Sequence, residues 1–398
     1  MNGPNDQFGG PVPPPMSATD LLGFDPSDPQ FVRDPYVRYR ELRAAGPIFR
    51  TRGGLLVVTT YELCAAVLRD PGFGHGTSAP VAEEAGQPGR SFLLMDPPDH
   101  TRLRGLVSRA FTPRMVERLR PRVEEITAGL VARLPEEAEL ISGFAHPLPV
   151  MVISEMLGVP PEDHERFRGW SEALARGLDP MLTDALMSET ERSRNEFRDY
   201  FRRLIALRRD RPGEDLLSAL AHVEELTEAE LLATCVLLLV AGHETTVNLI
   251  ANGVLNLLRH DLLHRAAERP REVVEEVLRF DPPVQLTSRF ALEDRELGGT
   301  PVPAGSAVLV PIGAANRDPA AFADPDRFDP GREPGRHLAF GLGLHFCLGA
   351  TLARMEGEIA LSALAAAAPK MEAADPEPPY KENVVLRGLA RLPVRLRR

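Results

Sequence analysis

The sequence predicts a mainly α-helical protein with a small β region. Three observations carry that expectation. Residues 123–225 read as a run of helices, broken at Pro160-Pro161 and at Arg211-Pro212-Gly213. A capping box, Thr227-Glu228-Ala229-Glu230, opens an apolar segment that continues to about His260. Strand signals are confined to short stretches, 48–60 around Gly53-Gly54 and 290–312 with its Pro and Gly turns.

The chain has 398 residues, a length that ordinarily suggests two or three domains, yet no boundary is marked within it. Its net charge of −11 argues against nucleic acid and anionic membrane as general partners. Three cysteines, Cys64, Cys235 and Cys347, cannot all pair. Cys64 and Cys235 lie in apolar helical patterns and read as small buried hydrophobes. That usage suits a reducing, cytoplasmic compartment. The first residues carry no basic, apolar, cleavable leader, and the longest near-continuous apolar run, 231–241, is shorter than a bilayer span. The expectation is a protein that neither spans nor binds a membrane.

Taken in order, residues 1–18 are Gly- and Pro-rich and read as a disordered tail, leaving 19–398 as the folded part. Helices are expected at 35–45 and 61–69, flanking a hairpin at 48–60. A Gly/Pro/Ala-rich loop follows over 71–92; loops of that length are usually functional or mobile. Pro97 and Pro98 then exclude helix before Asp99, which can cap the helix that follows. His100 and Arg104 share one face of it. Two cationic groups so placed repel unless an anion lies between them, and simple solvation is the alternative. Between Arg102 and Arg122 there are seven arginines and one acid, Glu117, which is either a docking patch or an ordinary solvated face. Further helices are expected at 123–132, 147–157, 161–177, 189–209 and 216–222.

The central segment would reach on the order of 50 Å at the helical rise. It is apolar on most sides and should be buried. In its middle stands Ala241-Gly242-His243-Glu244-Thr245-Thr246. A buried acid is costly unless paired or hydrated, and Gly242 weakens the helix at the same point. Two local penalties together point to function, with a plain buried salt bridge as the alternative. Downstream, Glu276 and Arg279 are three apart on one helical face and can pair, a motif that says little alone. Residues 283–289 read as extended, with Val284, Leu286 and Thr287 available to a pocket. Residues 384–389 read as a strand pair whose turn enters that pocket.

The stretch Phe340-Gly341-Leu342-Gly343-Leu344-His345-Phe346-Cys347-Leu348-Gly349 has the form of a seat for a thiolate. Gly341 and Gly343 permit close backbone approach, and Gly349 keeps the far side of the cysteine bare. Leu352, Met355, Ile359 and Leu364 then recur at helical spacing, placing Cys347 near a helix N-terminus, where negative charge is favoured. Such a thiolate is a nucleophile, a metal ligand or, in the plainest reading, a packed side chain.

Four motifs stand in order: Ala-Gly-x-Glu-Thr at 241–245, Glu-x-x-Arg at 276–279, Pro-Asp-Arg-Phe at 325–328 and the cysteine loop. Together the sequence resembles the cytochrome P450 family over residues 20–398, and is most similar to soluble bacterial members that tailor polyketides and other secondary metabolites. The resemblance implies one large helical domain with a long central helix over haem b. It makes Cys347 the axial iron ligand, and Ala241, Phe340 and Gly349 haem neighbours. It assigns His100, Arg104, Arg289 and His345 to the propionates, and Glu244 and Thr245 to proton delivery. Glu276, Arg279 and Arg327 would form a structural network beneath the cysteine loop. Phe92, Leu94, Leu178, Leu182, Leu237, Val240, Val284, Leu286 and Leu386 become candidate substrate contacts. The implied activity is insertion of one oxygen atom from O2 into an apolar small molecule, by hydroxylation or epoxidation, with electrons from a ferredoxin and its reductase, docked on the basic patch. Two alternatives remain: a haem-thiolate enzyme of another reaction type (coupling, rearrangement or peroxide use), and a non-catalytic activator. The retained Cys347 and Glu244-Thr245 argue against the activator and against peroxide use.

Overall fold

The computed structural model describes residues 17–76, 91–176, 184–333 and 335–397. The central helix, Glu228–Arg259, has the capping box at its start: Thr227 Oγ1 accepts from Glu230 N–H at 3.2 Å, and Glu230 accepts from Thr227 N–H at 3.0 Å. By length and composition it could cross a membrane, but most of it is buried inside the fold. Against it pack Pro147–Met156, His164–Arg176, Asp184–Asp210, Pro270–Phe280 and Ala350–Ala367. Their apolar faces form the largest core, including Phe167, Phe197, Leu239, Ile250 and Leu361.

The β region is a five-stranded sheet in the order Ile48–Arg50, Leu56–Val58, Ala307–Pro311, Leu286–Ala291, Phe73–Gly74. The second and third strands are parallel and the other pairs antiparallel. A second core, with Val58, Val67, Val308 and Leu338, lies under this sheet. A three-stranded sheet joins Glu137–Glu139, Pro393–Arg395 and Glu372–Ala373.

Several boundaries differ from expectation. The helix expected at 123–132 is Pro113–Arg133, with Pro121 inside it; that proline is exposed, where a helix tolerates the lost hydrogen bond most easily. Asp99 is the first helical residue of Asp99–Ala110 and not its cap. The expected loop at 71–92 contains the edge strand Phe73–Gly74, paired with Phe290 and Ala291. Residues 384–389 make isolated bridges, Val284 to Leu386 and Tyr380 to Leu389, in place of a strand pair. Residues 1–16 of the expected tail lie outside the described residues, and Ser17 caps the short helix Ala18–Leu22.

The C-terminal turn is tied down by a buried guanidinium. Arg387 Nε donates to Asp281 Oδ1 at 2.8 Å, and its Nη atoms donate to Val32 O and Arg33 O at 2.8 and 2.9 Å. Tyr36 donates to the same carboxylate oxygen at 2.7 Å. Arg387→Met leaves Asp281 buried without a counter-charge and should cost about 3–5 kcal/mol in denaturant unfolding. Arg391→Met, which removes the exposed pair to Asp375, should cost less than about 1 kcal/mol.

Candidate haem site

The cysteine loop is folded by its backbone. Cys347 N–H donates to Phe340 O at 2.9 Å and Gly341 N–H to Leu338 O at 2.8 Å. Gly341 and Gly343 both have φ of 67°. A Cβ on Gly343 would also meet Leu68 O at 2.4 Å, so glycine is required there twice over. Gly349 stands at the N-cap of Ala350–Ala367. Cys347 is half-buried and free. Its thiol is pushed up by burial; the Gly349 N–H and the charges of Arg104 and Arg354 pull the other way without winning. In the protein alone, therefore, desolvation outweighs the helix terminus expected to lower it.

Beneath the loop lies a chain of polar contacts. Arg279 meets Glu276 with two bonds, 2.7 and 2.8 Å, both side chains almost fully buried. Arg279 Nη1 donates to Asn316 O at 3.0 Å, and Asn316 Oδ1 accepts from Leu338 N–H, at the root of the loop, at 2.7 Å. The expected third member, Arg327, is a correction: its side chain is 71% exposed, 3.8 Å from Asp329, and only its carbonyl meets Arg279. Arg332 occupies that role, 3.5 Å from Glu276. The Pro-Asp-Arg-Phe turn points residue 327 outward, and the chain returns to Glu276 only after Asp329, whose N–H donates to it at 2.8 Å.

A second carboxylate, Glu275, accepts from Arg354 at 2.5 Å and approaches His337 at 3.2 Å, while Arg354 stacks 4.4 Å over the Phe340 ring. Burial pushes Glu275 up, but the His337 and Arg354 contacts prevail and hold it at about 2. None of Glu275, His337, Arg354 and Arg332 was singled out from sequence; Glu275 and Arg354 sit beside recognised motifs, but their spacing gives no sign of partnership.

Three imidazoles converge beside the loop. His100 and His345 have ring centroids 4.2 Å apart, and His75 and His345 4.7 Å. His75 was not anticipated: a lone histidine in a Gly-rich stretch carries no periodic signal. Both ring nitrogens of His100 and Nε2 of His75 are buried without a partner among the described residues. Burial, aided by neighbouring positive charge, lowers His75 to about 4 and His345 to about 3. Arg289, buried on Leu286–Ala291, donates to Thr287 Oγ1 at 3.1 Å and to Ser288 O at 2.7 Å, and its charge bears on His75 and His345. Arg104 donates to Phe346 O, next to the cysteine. Buried donors left without acceptors are costly, and this set suits a ligand bearing carboxylates beside a thiolate-bound metal. The residues present fit haem.

The central helix supplies the other wall. Over 231–257 every residue is buried except Val236, Leu237, Ala241, Gly242 and Thr245. Leu237, Ala241 and Thr245 are spaced by four and form one accessible stripe. Thr245 Oγ1 donates to Ala241 O at 2.7 Å. Glu244, next to that stripe, is buried and pairs with Lys381 Nζ at 2.5 Å. Of the candidate pocket residues, Leu237 is on the stripe, Val240 is buried beside it, and Val284 bridges to Leu386. Leu94 is exposed, and Phe92 is packed in the main core. Leu286 is a correction: strand alternation places Thr287 with Arg289 and turns Leu286 into a third core with Phe24, Tyr39 and Val57. Leu178 and Leu182 lie outside the described residues.

Comparison with known proteins agrees with this geometry. The family model for cytochrome P450 matches residues 271–384. The chain is 43% identical to the cytochrome P450 monooxygenase PikC of Streptomyces venezuelae, over 98% of this chain and 97% of that one. This chain belongs to the cytochrome P450 family. It is also 38% identical to the polyketide biosynthesis P450 PksS of Bacillus subtilis, over 95% and 99% of the two chains. The crystal structure of P450BioI with a ligated acyl carrier protein superposes with a TM-score of 0.87 at 39% identity, covering 93% of this P450 and all of that chain. The P450 architecture, the haem cofactor and the monooxygenase class follow from the family.

Two tests address the supports of the loop. Arg332→Ala should lower unfolding stability and haem retention, whereas Arg327→Ala should stay within about 0.5 kcal/mol of wild type. Glu275 is held below its unfolded value near 4.3. The stability it contributes is therefore complete above that value and lost as pH falls toward about 2. Glu275→Gln should remove that part of the acid limb of a stability–pH profile.

Proposed function

We propose that this P450 uses haem b to insert one oxygen atom from O2 into an apolar small molecule, of the polyketide or related secondary-metabolite class. The observation that carries the reading is the half-buried Cys347 beside a cluster of His75, His100, His345 and the buried Arg289, in which both ring nitrogens of His100 and Nε2 of His75 have no partner among the described residues. The Cys347 thiolate would ligate the iron, and the imidazoles and Arg289 would hold the propionates. When bound, haem supplies activation of O2 and transfer of one oxygen atom. The chain's own residues bind, orient and protonate. Thr245 directs its proton to Ala241 O, leaving its oxygen free to accept a hydrogen bond. Glu244 is the buried acid next to it, able to feed protons into a site from which apolar walls exclude water. Leu237, Val240, Val284 and Leu386 present the apolar surface that selects the substrate atom. The names of PikC and PksS support the substrate class.

Electrons would come from a ferredoxin and its reductase. Of the seven arginines over 102–122, Arg102 pairs with Glu230, Arg120 with Glu117, Arg122 with Glu125 and Glu155, and Arg104 faces Phe346 O. Arg109, Arg114 and Arg118 are exposed and have no ion pair among the described residues. Arg114 and Arg118 lie on Pro113–Arg133, which packs on the cysteine helix. These three are the charges an acidic partner would meet.

Reduced, carbon-monoxide-bound wild type should show the strongly red-shifted Soret band of thiolate-ligated haem, and Cys347→Ala should lose it. Folded wild type that takes up no haem would overturn the reading. Thr245→Ala should divert electrons from organic product to peroxide, measured as product formed per NADPH consumed, with a loss of at least about tenfold.

A further inference from the structure

The helix His164–Arg176 is keyed to the central helix through one polar contact. Ser171 Oγ lies 2.6 Å from His243 Nδ1, and both side chains are fully buried. Among the described residues no other side-chain hydrogen bond and no ion pair joins these two helices. His243 follows Ala241 by two residues, a rotation of roughly 200° about the helix axis, so it stands on the far side from the accessible stripe. The contact therefore uses no part of the haem site. On its other side His146, just before Pro147–Met156, packs edge to face on His243 with ring centroids 4.4 Å apart.

This packing suits a neutral His243 alone. Its Nε2 is buried with no partner among the described residues. The least costly tautomer gives Nδ1–H to Ser171 Oγ and leaves Nε2 bare, because an N–H there would be a buried donor without an acceptor. A second proton on the ring creates that donor and adds a charge. The charged groups around the two imidazoles are Glu165, Arg168 and Glu172 of His164–Arg176, Glu244 of the central helix and Lys381 of the C-terminal turn. Glu155, the only charged residue of Pro147–Met156, turns away to Arg122. Glu172 is 3.2 Å from His146 Nε2, without the geometry of a hydrogen bond. Burial takes His146 down to about 4 against the charge of Glu244. Burial, His146 and Lys381 together hold His243 well below its usual value, and no carboxylate opposes them.

We propose that Ser171 and His243 form an acid-released latch that docks His164–Arg176 on the central helix. When His243 takes a proton from solvent, an N–H bond forms at Nε2, no electrons are exchanged, and the helix must move off to let water accept from it. The undocked, solvated imidazole titrates near 6.5. The docked form thus binds fewer protons than the undocked form. Docking is fully favoured above that pH and weakens as pH falls below it. In sequence the latched helix ends at Arg176, directly before the stretch that holds Leu178 and Leu182.

The test is hydrogen–deuterium exchange of the wild-type holoenzyme between pH 7.5 and 5, corrected for the pH dependence of intrinsic exchange. Opening of the amides in His164–Arg176 should rise by at least about tenfold per pH unit below 6.5, while Ala350–Ala367 stays protected. His243→Gln keeps a partner for Ser171 but takes up no proton, and should cut that dependence by about tenfold per unit, leaving what His146 contributes. Ser171→Ala should raise opening at pH 7 by about fivefold, the loss of one hydrogen bond, and Ser171→Thr should restore it. Three results would each overturn the latch: no pH dependence beyond intrinsic exchange, a rise that only keeps step with Ala350–Ala367, or an unchanged slope in His243→Gln. The comparison of the two helices in wild type needs no variant, and decides the matter if His243→Gln does not fold.

Discussion

The Glu276–Arg279 pair is the contact on which the cysteine loop depends. Both partners are buried, so the pair is weak as a source of stability and strong as a constraint: neither charge tolerates the loss of the other. Apart from Arg332, 3.5 Å from Glu276, the remaining contacts of each partner go to backbone. Glu276 receives Asp329 N–H, while Arg279 reaches the carbonyls of Asn316, Pro325 and Arg327. Asn316 then passes the constraint to Leu338 N–H. One ion pair thereby fixes three loop segments, and the last opens the turn that presents Cys347. A thiolate loop rich in glycine has little side-chain packing of its own, so its geometry is borrowed from this network.

Much of the architecture was legible because its signals are local. The Thr227–Glu230 capping box starts the central helix where expected, since a cap is set by residues three apart. The accessible stripe of Leu237, Ala241 and Thr245 follows from helical spacing once the rest of the helix is buried. The losses are contacts between residues distant in sequence. Lys381 meets Glu244 across 137 positions, and His75 meets His345 across a gap about twice as long. Nothing at either end of such a pair names the other. Arg327 and Arg332 were exchanged for a related reason: both follow Glu276 at a distance set by a turn, and only the turn's direction decides which points inward. Leu286 was lost to strand parity, where one residue of shift sends a side chain to the opposite face.

The central helix does two opposed things, and its polar residues show how they are reconciled. Glu244, Asn248, Asn252 and Asn256 recur every four residues and are all buried, so one edge of the C-terminal half of the helix is polar. Asn252 Nδ2 is shared between Asp281 O and Arg387 O, 3.3 and 3.2 Å away, and Asn256 Nδ2 donates to Asn252 O and lies 3.4 Å from Asp281 Oδ2. Asn248 lies against Gly388, where a Cβ would come within 1.8 Å of its Oδ1. The polar edge is thus a seam for the C-terminal turn, locked at one end by Arg387 and Asp281 and ending at the other in Lys381 and Glu244. The accessible stripe on the adjacent face stays apolar apart from Thr245. A helix that keeps one face apolar and yet carries a buried acid beside it can do both because the acid's partner arrives from the side. In this P450 the partner arrives on the C-terminal turn, the same turn that carries Leu386 toward Val284.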